Sequence, residues 1–158
     1  MARPPFIAAV LLSSVLFAAS PAYADITGFW GLTPKPEVRS SQGFAAGVSL
    51  VVFGFEFELS NTTEDRVKGA PGLTTGMLNG IVQTPTSTQF YLTAGGGVFR
   101  ERLGSASETF VGTNIGGGVK LNLMGPLRLR IDYRLFALRG SPLFTNPQRL
   151  YAGVNVAF

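Results

Sequence analysis

Apolar and polar residues alternate along most of the chain that follows residue 25. In residues 127–135 the odd positions are leucine, isoleucine or tyrosine, and the even positions are arginine or aspartate. A strand places successive side chains on opposite faces, whereas a helix would mix the two sets because its neighbours are three and four residues apart. The same alternation appears in residues 55–59, 119–123 and 150–158. These segments are therefore predicted to be strands with one apolar and one polar face.

Turn residues separate about eight segments of this kind. The predicted strands are 26–32, 43–52, 55–60, 73–83, 89–101, 108–123, 127–139 and 148–158. The odd-numbered connections are long and polar, at 33–42, 61–72, 102–107 and 140–147. The even-numbered ones are shorter, near 53–54, at 84–88 and at 124–126. This asymmetry is typical of outer-membrane barrels, and the predicted fold is an all-β, antiparallel, up-and-down transmembrane β-barrel.

The first 24 residues show a different pattern. Arg3 is followed by an uncharged apolar run over 6–19 and then by Ser-Pro-Ala-Tyr-Ala at 20–24. These features predict a secretory signal peptide, residues 1–24, cleaved after Ala24. The apolar run is too short for a spanning helix, which needs about 20 residues. Residues 25–158 would then form one exported barrel domain, and we expect it in the cell outer membrane.

The alternation leaves open which face of the barrel points inward. A soluble, lipid-binding barrel is apolar inside, whereas a membrane barrel is apolar outside. Here the polar face is rich in small residues such as Gly95, Gly116 and Gly153, which suit a narrow interior. The apolar face carries aromatics such as Phe55 and Phe90, which suit contact with lipid. We therefore expect the apolar face to meet outer-membrane lipid.

With the faces set in this way, charged side chains point into the lumen. They are Glu56, Glu58, Lys120, Arg128, Arg130, Asp132 and Arg134. The third and seventh strands lie opposite each other in an eight-stranded ring, so the two glutamates face the arginines. Buried charges must pair, because an isolated one costs several kcal/mol. We predict a salt-bridge network that plugs the lumen; the alternative is an ordinary solvated sheet face.

The composition narrows the chemistry. The chain contains neither histidine nor cysteine, so it lacks the usual general base, thiolate chemistry and a disulfide. The acidic loop at 60–65 lacks the ligand spacing of a calcium-binding EF-hand. A formal charge of +4 is too small and too dispersed for a nucleic-acid surface. We expect no enzyme activity, no cofactor, no metal and no nucleic-acid partner.

Three motifs carry a resemblance to a known family. They are Tyr-Ala-Gly-Val-Asn-Val-Ala-Phe at 151–158, Gly-Gly-Gly-Val at 95–98 and 116–119, and Leu-Arg-Ile-Asp-Tyr-Arg at 129–134. With them the chain resembles the small outer-membrane barrels related to the OmpA transmembrane domain and OmpX. The resemblance implies that Val154, Val156 and Phe158 form the signal read by the barrel-assembly machinery.

The sequence indicates a structural or surface-interaction barrel, whose external loops would meet an extracellular ligand. We expect it to be a monomer. A narrow channel for small solutes is one alternative, although eight strands leave little room for an open pore. A soluble periplasmic barrel that binds a lipid is the other.

Overall fold

The computed structural model describes residues 22–35 and 37–158. They form a closed antiparallel barrel in which the eight strands follow each other in chain order around the ring. The strands are β1 (Ala22–Thr33), β2 (Arg39–Leu50), β3 (Phe53–Thr62), β4 (Gly72–Gln83), β5 (Gln89–Leu103), β6 (Ala106–Met124), β7 (Leu127–Arg139) and β8 (Gln148–Ala157). The predicted fold class and strand order are confirmed.

The predicted signal peptide lies almost wholly outside the described residues. Its last three residues, 22–24, already belong to β1, which is hydrogen-bonded to β2 from Ala22 and to β8 from Ala24. Cleavage after Ala24 would leave β1 paired from Asp25 onward, because the β1–β8 register runs from Asp25↔Ala157 to Leu32↔Leu150. The described residues contain no helix long and apolar enough to cross a membrane.

Three connections differ from the sequence-based expectation. The one predicted at 33–42 is shorter, because β2 already begins at Arg39. The turn between β2 and β3 consists of Val51 and Val52, and Phe53 and Gly54 already belong to β3. The connection predicted at 102–107 is a tight turn at residues 104–105. There Gly104 adopts the left-handed conformation, with φ 64°, so the ladder continues almost to the tip of the hairpin. The residues paired across this hairpin are mostly polar, so they lack the apolar alternation that predicts a strand.

The two ends of the barrel differ in their connections. One end carries the segments 34–38, 63–71, 104–105 and 140–147, and we name it the loop rim. The other end carries the segments 51–52, 84–88 and 125–126, together with the start of β1 and the end of β8, and we name it the turn rim. The two longest connections, 63–71 and 140–147, therefore both lie at the loop rim.

The two faces of the wall have opposite character. Outward side chains are apolar and exposed, as Leu92, Phe55 and Ile115 show with exposed fractions of 71%, 65% and 61%. Inward side chains include Glu58 and Arg134, both fully buried. A water-soluble protein places these two classes the other way round. The distribution is that expected of a barrel surrounded by an apolar medium.

The lumen has a second, apolar layer. Toward the loop rim, five inward side chains from β4, β5 and β7 form the buried cluster Leu73, Met77, Phe99, Phe136 and Leu138. The rings of Phe99 and Phe136 meet edge to face, with their centroids 5.8 Å apart. We name this group the apolar layer; it lies on the loop-rim side of the charged residues.

Candidate functional site: the charged interior

Most of the charged side chains inside the barrel come from three strands. Alternation in β3 turns Glu56 and Glu58 inward, while alternation in β7 does the same for Arg130, Asp132 and Arg134. Their side chains are buried to 1% exposure or less. Because β3 and β7 lie on opposite sides of the ring, these long side chains meet across the lumen. Together with Arg149 of β8, described below, they make up what we name the charged layer.

Arg134 lies at the centre of the charged layer. Its Nε atom donates to Asp132 Oδ1 at 3.0 Å, and its Nη2 atom donates to Glu56 Oε1 at 2.9 Å. Its Nη1 atom lies 3.1 Å from Glu58 Oε2. One guanidinium therefore contacts three carboxylates on two strands, which uses the fixed fork geometry that distinguishes arginine from lysine.

Arg130 links the same carboxylates to a tyrosine. It forms a two-pronged ion pair with Glu56, and its Nη2 atom lies 3.2 Å from Asp132 Oδ2. Its Nε atom donates to Tyr91 Oη at 2.7 Å, and that hydroxyl in turn donates to Asp132. The polar end of Tyr91 is thus satisfied within the network, as a buried hydroxyl requires.

Arg149 on β8 extends the network toward β1. It is 2% exposed, pairs with Glu58 and donates to Ser60 Oγ at 2.6 Å. Its guanidinium carbon lies 4.9 Å from the centroid of the Phe29 ring and 5.2 Å from that of Tyr151. Those two rings stack with their centroids 4.1 Å apart. Cation–π contacts of this kind supplement an ion pair where water is excluded.

Glycines on the inward face make room for these large groups. A Cβ atom at Gly118 would lie 2.7 Å from Tyr91 Oη, and one at Gly116 would lie 2.9 Å from Arg134 Cγ and 2.3 Å from a β7 carbonyl oxygen. All three distances are below ordinary van der Waals contact. The small residues predicted to suit a crowded interior therefore lie directly against the charged layer.

A separate ion pair lies nearer the turn rim. Lys120 of β6 is 1% exposed, and its Nζ atom lies 2.5 Å from Asp25 Oδ2 on β1. Arg128 was predicted to join the network, but it is only half-buried and donates to Gln89 Oε1 at 2.8 Å. Within residues 22–35 and 37–158 it forms no ion pair. Its position beside the turn rim gives it access to solvent, which removes the need for a carboxylate.

The structure thus brings six of the seven predicted charges into buried ion pairs and adds two that were not predicted, Asp25 and Arg149. Arg149 could have been found by extending the alternation of β8 by one residue, since it shares the face of Tyr151 and Asn155. Asp25 was missed because the first predicted strand began one residue later. The buried pairs then hold four cations and four carboxylates: Lys120, Arg130, Arg134 and Arg149 with Asp25, Glu56, Glu58 and Asp132.

Charge balance decides whether such an interior is tolerable. An unpaired ion in a dry interior costs several kcal/mol, and pairing with good geometry offsets that cost. Equal numbers of cations and carboxylates leave no net charge on the eight residues of these buried pairs. The arrangement offers no nucleophile activated by a base, because its acids are paired with arginines or with Lys120 and the chain has no histidine. Its paired side chains reach across the lumen from β3 to β7.

The three residues predicted to form the assembly signal share the outward face of β8. Val154 and Phe158 are exposed, and Val156 is half-buried. They lie beside the seam at which β8 pairs with β1, and Phe158 exchanges backbone hydrogen bonds with Ala24 there. All three are close to the turn rim.

Comparison with known proteins identifies the fold as that of small, eight-stranded outer-membrane barrels. No family model matches the chain, and no curated protein sequence matches it. The N-terminal β-barrel domain of Pseudomonas aeruginosa OprF is similar in structure, with a TM-score of 0.67 and 16% identity; the match covers 86% of this chain and 97% of that one.

Two further structures are similar. Neisserial surface protein A has a TM-score of 0.66 and 19% identity, over 87% of this chain and 96% of that one. Ail, the attachment invasion locus protein of Yersinia pestis, in complex with the heparin analogue sucrose octasulfate, has a TM-score of 0.58 and 11% identity, over 89% of this chain and all (100%) of that one. At these identities the likeness establishes the fold.

Proposed function

We propose that the protein is an integral outer-membrane barrel with a plugged lumen, and that its role is structural or surface-interacting. The observation that carries this proposal is the inversion of the two faces. Outward residues such as Phe53, Leu78 and Leu92 are more than 60% exposed. Within the described residues, seven ion pairs lie buried inside the barrel. Exposing that much apolar surface to water would be costly, whereas lipid removes the cost.

The same observation argues against the soluble alternative. A soluble barrel that bound a lipid would need an apolar interior, but the largest fully buried side chains here include Arg130, Arg134 and Arg149. The apolar layer at the loop-rim side is filled by its own side chains, with Met77 and Phe99 fully buried. The proposed occupant of the lumen is therefore the protein itself.

Membrane insertion is tested by fractionation of cells that express the full chain. We expect the protein in the outer-membrane fraction, resistant to alkaline carbonate and released only by detergent. Unboiled samples should migrate differently from boiled ones on a denaturing gel, since a closed barrel resists unfolding by the detergent. Extraction without detergent would overturn the proposal.

The plug is tested separately by conductance. The purified barrel, reconstituted in a planar bilayer, should give no steady single-channel steps, because the charged layer and the apolar layer lie in series along the axis. Replacing Glu56 and Glu58 together by alanine should lower the thermal stability of the inserted barrel. The exposed loop variant Glu37→Ala serves as the control. Steady steps from the unmodified protein would support the narrow-channel alternative instead.

We further propose that the outward face of β8 is read by the barrel-assembly machinery through Val154, Val156 and Phe158. Their place beside the β1–β8 seam supports this, since that seam is the last contact needed to close the ring. Phe158→Ser should reduce assembly in cells but leave refolding into detergent micelles unchanged. Phe90→Ser is a matched control, because Phe90 is also an outward aromatic at the turn rim, with 61% exposure against 67%. Equal loss in both variants would contradict the assignment.

Surface interaction would take place at the loop rim. Lys68 of the segment 63–71 pairs with Glu37 of the segment 34–38 at 3.1 Å, and the backbone N–H of Leu143 donates to Glu101 Oε2 at 2.9 Å. The first contact joins two loops, and the second joins the segment 140–147 to β5. Protease cleavage of intact cells within residues 61–72 tests whether this rim faces outward; protection of that segment in intact cells, with cleavage after lysis, would reverse the proposed orientation.

A further inference from the structure

The outward face of the barrel wall is charged only at the loop rim. In the described strands, Arg100, Arg102 and Arg139 are the outward-facing charged residues, whereas the strand carboxylates belong to the inward set. Apolar residues continue down the wall from there, as Val98 does directly below Arg100. Outward arginines directly above an apolar wall suit contact with an anionic group held at a membrane surface.

Two of these arginines line a cavity of about 410 Å³. It lies on the outer wall between β3, β4 and β5, and its lining includes Asn61, Gly72, Thr74, Arg100 and Arg102. Gly72 keeps the floor open, because a Cβ atom there would lie 3.3 Å from Glu64 Cβ. Cation, amide and hydroxyl groups thus surround one concave space directly above the apolar wall. We name it the rim pocket.

Both arginines have N–H groups that could donate hydrogen bonds to a ligand. Arg100 uses its Nε atom to donate to Ser107 Oγ at 2.8 Å, and within the described part of the chain its two Nη groups have no hydrogen-bond partner. The Nε atom of Arg102 lies 3.8 Å from Glu64 Oε2, a loose pair on a side chain that is 64% exposed. Two guanidinium forks at one pocket match the planar, multidentate geometry in which arginine binds phosphate.

Glu64 is the one carboxylate in the rim pocket. Its Oε1 atom accepts hydrogen bonds from the backbone N–H of Gly104 at 2.5 Å and from Arg66 Nε at 2.9 Å. These bonds lower the pKa of Glu64, the one from Gly104 first, so the side chain is anionic at neutral pH. With Arg66 balancing Glu64, the positive charge of Arg100 and Arg102 is left for a ligand.

We propose that the rim pocket binds the phosphate group of a phosphorylated lipid in the leaflet that surrounds the loop rim. The proposal rests on the membrane location proposed above. Outward apolar residues just below the pocket, Leu59 on β3 and Val98 on β5, would lie along the acyl chains, which a free phosphate lacks. The lipid therefore gains contacts with the wall that inorganic phosphate does not.

The test is retention of lipid by the purified, detergent-solubilised full chain, measured by native mass spectrometry. The probes are lipid A with two phosphates, the same lipid without phosphate, and inorganic phosphate alone. Arg100→Ala together with Arg102→Ala should lower retention of the phosphorylated lipid by about tenfold, as expected for the loss of charge-assisted hydrogen bonds. Arg139→Ala, which removes an outward arginine at the same rim but outside the pocket, should change it less than about twofold.

A charge-sign test distinguishes binding from a merely structural role. Glu64→Gln keeps an oxygen acceptor for Gly104 but removes the negative charge, so it should raise retention of the phosphorylated lipid. Three results would each overturn the proposal. They are an equal loss of retention in the Arg139 variant and the double variant, unchanged retention in the double variant, and equal retention of the lipid without phosphate. Binding of inorganic phosphate without retention of lipid would do so as well. Heat-modifiable migration of every variant reports separately on membrane-barrel formation.

Discussion

The lumen contains two layers that face the same space and are built from the same inward periodicity, yet they differ in chemistry. The charged layer is held by directional contacts, such as those of Arg134 with Glu56 and Asp132 at 2.9 and 3.0 Å. The apolar layer is held by packing, with Met77 and Phe99 fully buried. A barrel of this size can thus be filled either by neutralised ions or by hydrocarbon, provided that no inward group is left without a partner.

The comparison shows how each layer should respond when one of its side chains is removed. Removing one partner of a buried ion pair strands the other charge, which is more costly than the loss of the contact itself. Removing apolar atoms costs the transfer free energy plus the cavity left behind. The charged layer is therefore expected to be intolerant of single changes, and the apolar layer to respond in proportion to the volume removed.

The largest expected effect comes from Arg134→Met, which keeps much of the volume but leaves the three carboxylates of the charged layer with only two cations, Arg130 and Arg149. We expect the free energy of unfolding to fall by about 4 kcal/mol. Arg139→Met on the same strand faces outward and should change it by less than about 0.5 kcal/mol. Urea titration of the barrel in lipid vesicles measures the free energy of unfolding of both variants. Similar values for the two would contradict the proposed cost of an unbalanced buried charge.

Met77→Ala should lower the free energy of unfolding by about 3 kcal/mol, because it opens a cavity in the apolar layer. Refilling that layer with Met77→Leu should cost less than about 1.5 kcal/mol, since a volume-conserving change is tolerated. No comparable rescue is expected for Arg134→Lys, which lacks the guanidinium fork. If Arg134→Lys were as mild as Met77→Leu, the contrast between directional and packing contacts would fail.

Gly116→Ala tests whether the charged layer depends on the space that a glycine leaves. A Cβ atom there would meet a backbone carbonyl oxygen at 2.3 Å and Arg134 Cγ at 2.9 Å, so we expect a loss of about 2 kcal/mol. Gly80→Ala is the matched control, because its nearest neighbour would be a carbonyl oxygen at 3.8 Å. Thermal unfolding in detergent should separate the two variants, and coincident melting curves would count against steric crowding.

The smallest effect should be the coupling between Phe99 and Phe136. Their edge-to-face contact predicts an interaction energy of about 1 kcal/mol in a double-mutant cycle with leucine at each position. The corresponding cycle for Glu58 and Arg149, with glutamine and methionine, should give a larger value because both groups are buried and charged. A larger coupling for the aromatic pair would invert the ranking of the two layers.

The sequence predicted five of the six residues of the charged layer, all but Arg149, and none of the apolar layer, for a physical reason. Alternation marks a polar residue on the inward face, as with Arg130 and Asp132, because its neighbours are apolar. In residues 135–138, Leu-Phe-Ala-Leu, both faces are apolar, so Phe136 and Leu138 carry no signal that they point inward. The apolar layer can be recognised only once the register of β7 is known.

The alternation of apolar and polar residues also cannot predict which side chains from distant strands contact each other. Alternation places Glu58 and Arg149 inside, but not within reach of each other, since the distance between them depends on strand tilt and stagger around the ring. The rim pocket shows the same limit. Arg100 and Arg102 lay at the end of a predicted strand and in a predicted loop, and the pairing of the extended β5–β6 hairpin is what turns both outward.

The distribution of charge along the chain has a consequence for how the barrel could be divided. Asp25, Glu56 and Glu58 come from the first four strands, whereas the four paired cations, Lys120, Arg130, Arg134 and Arg149, come from the last four. Cut within residues 84–88, the protein would yield an acidic and a basic fragment whose inner faces neutralise each other. Such halves would select one another by charge, which makes this barrel a candidate for fragment complementation in a membrane.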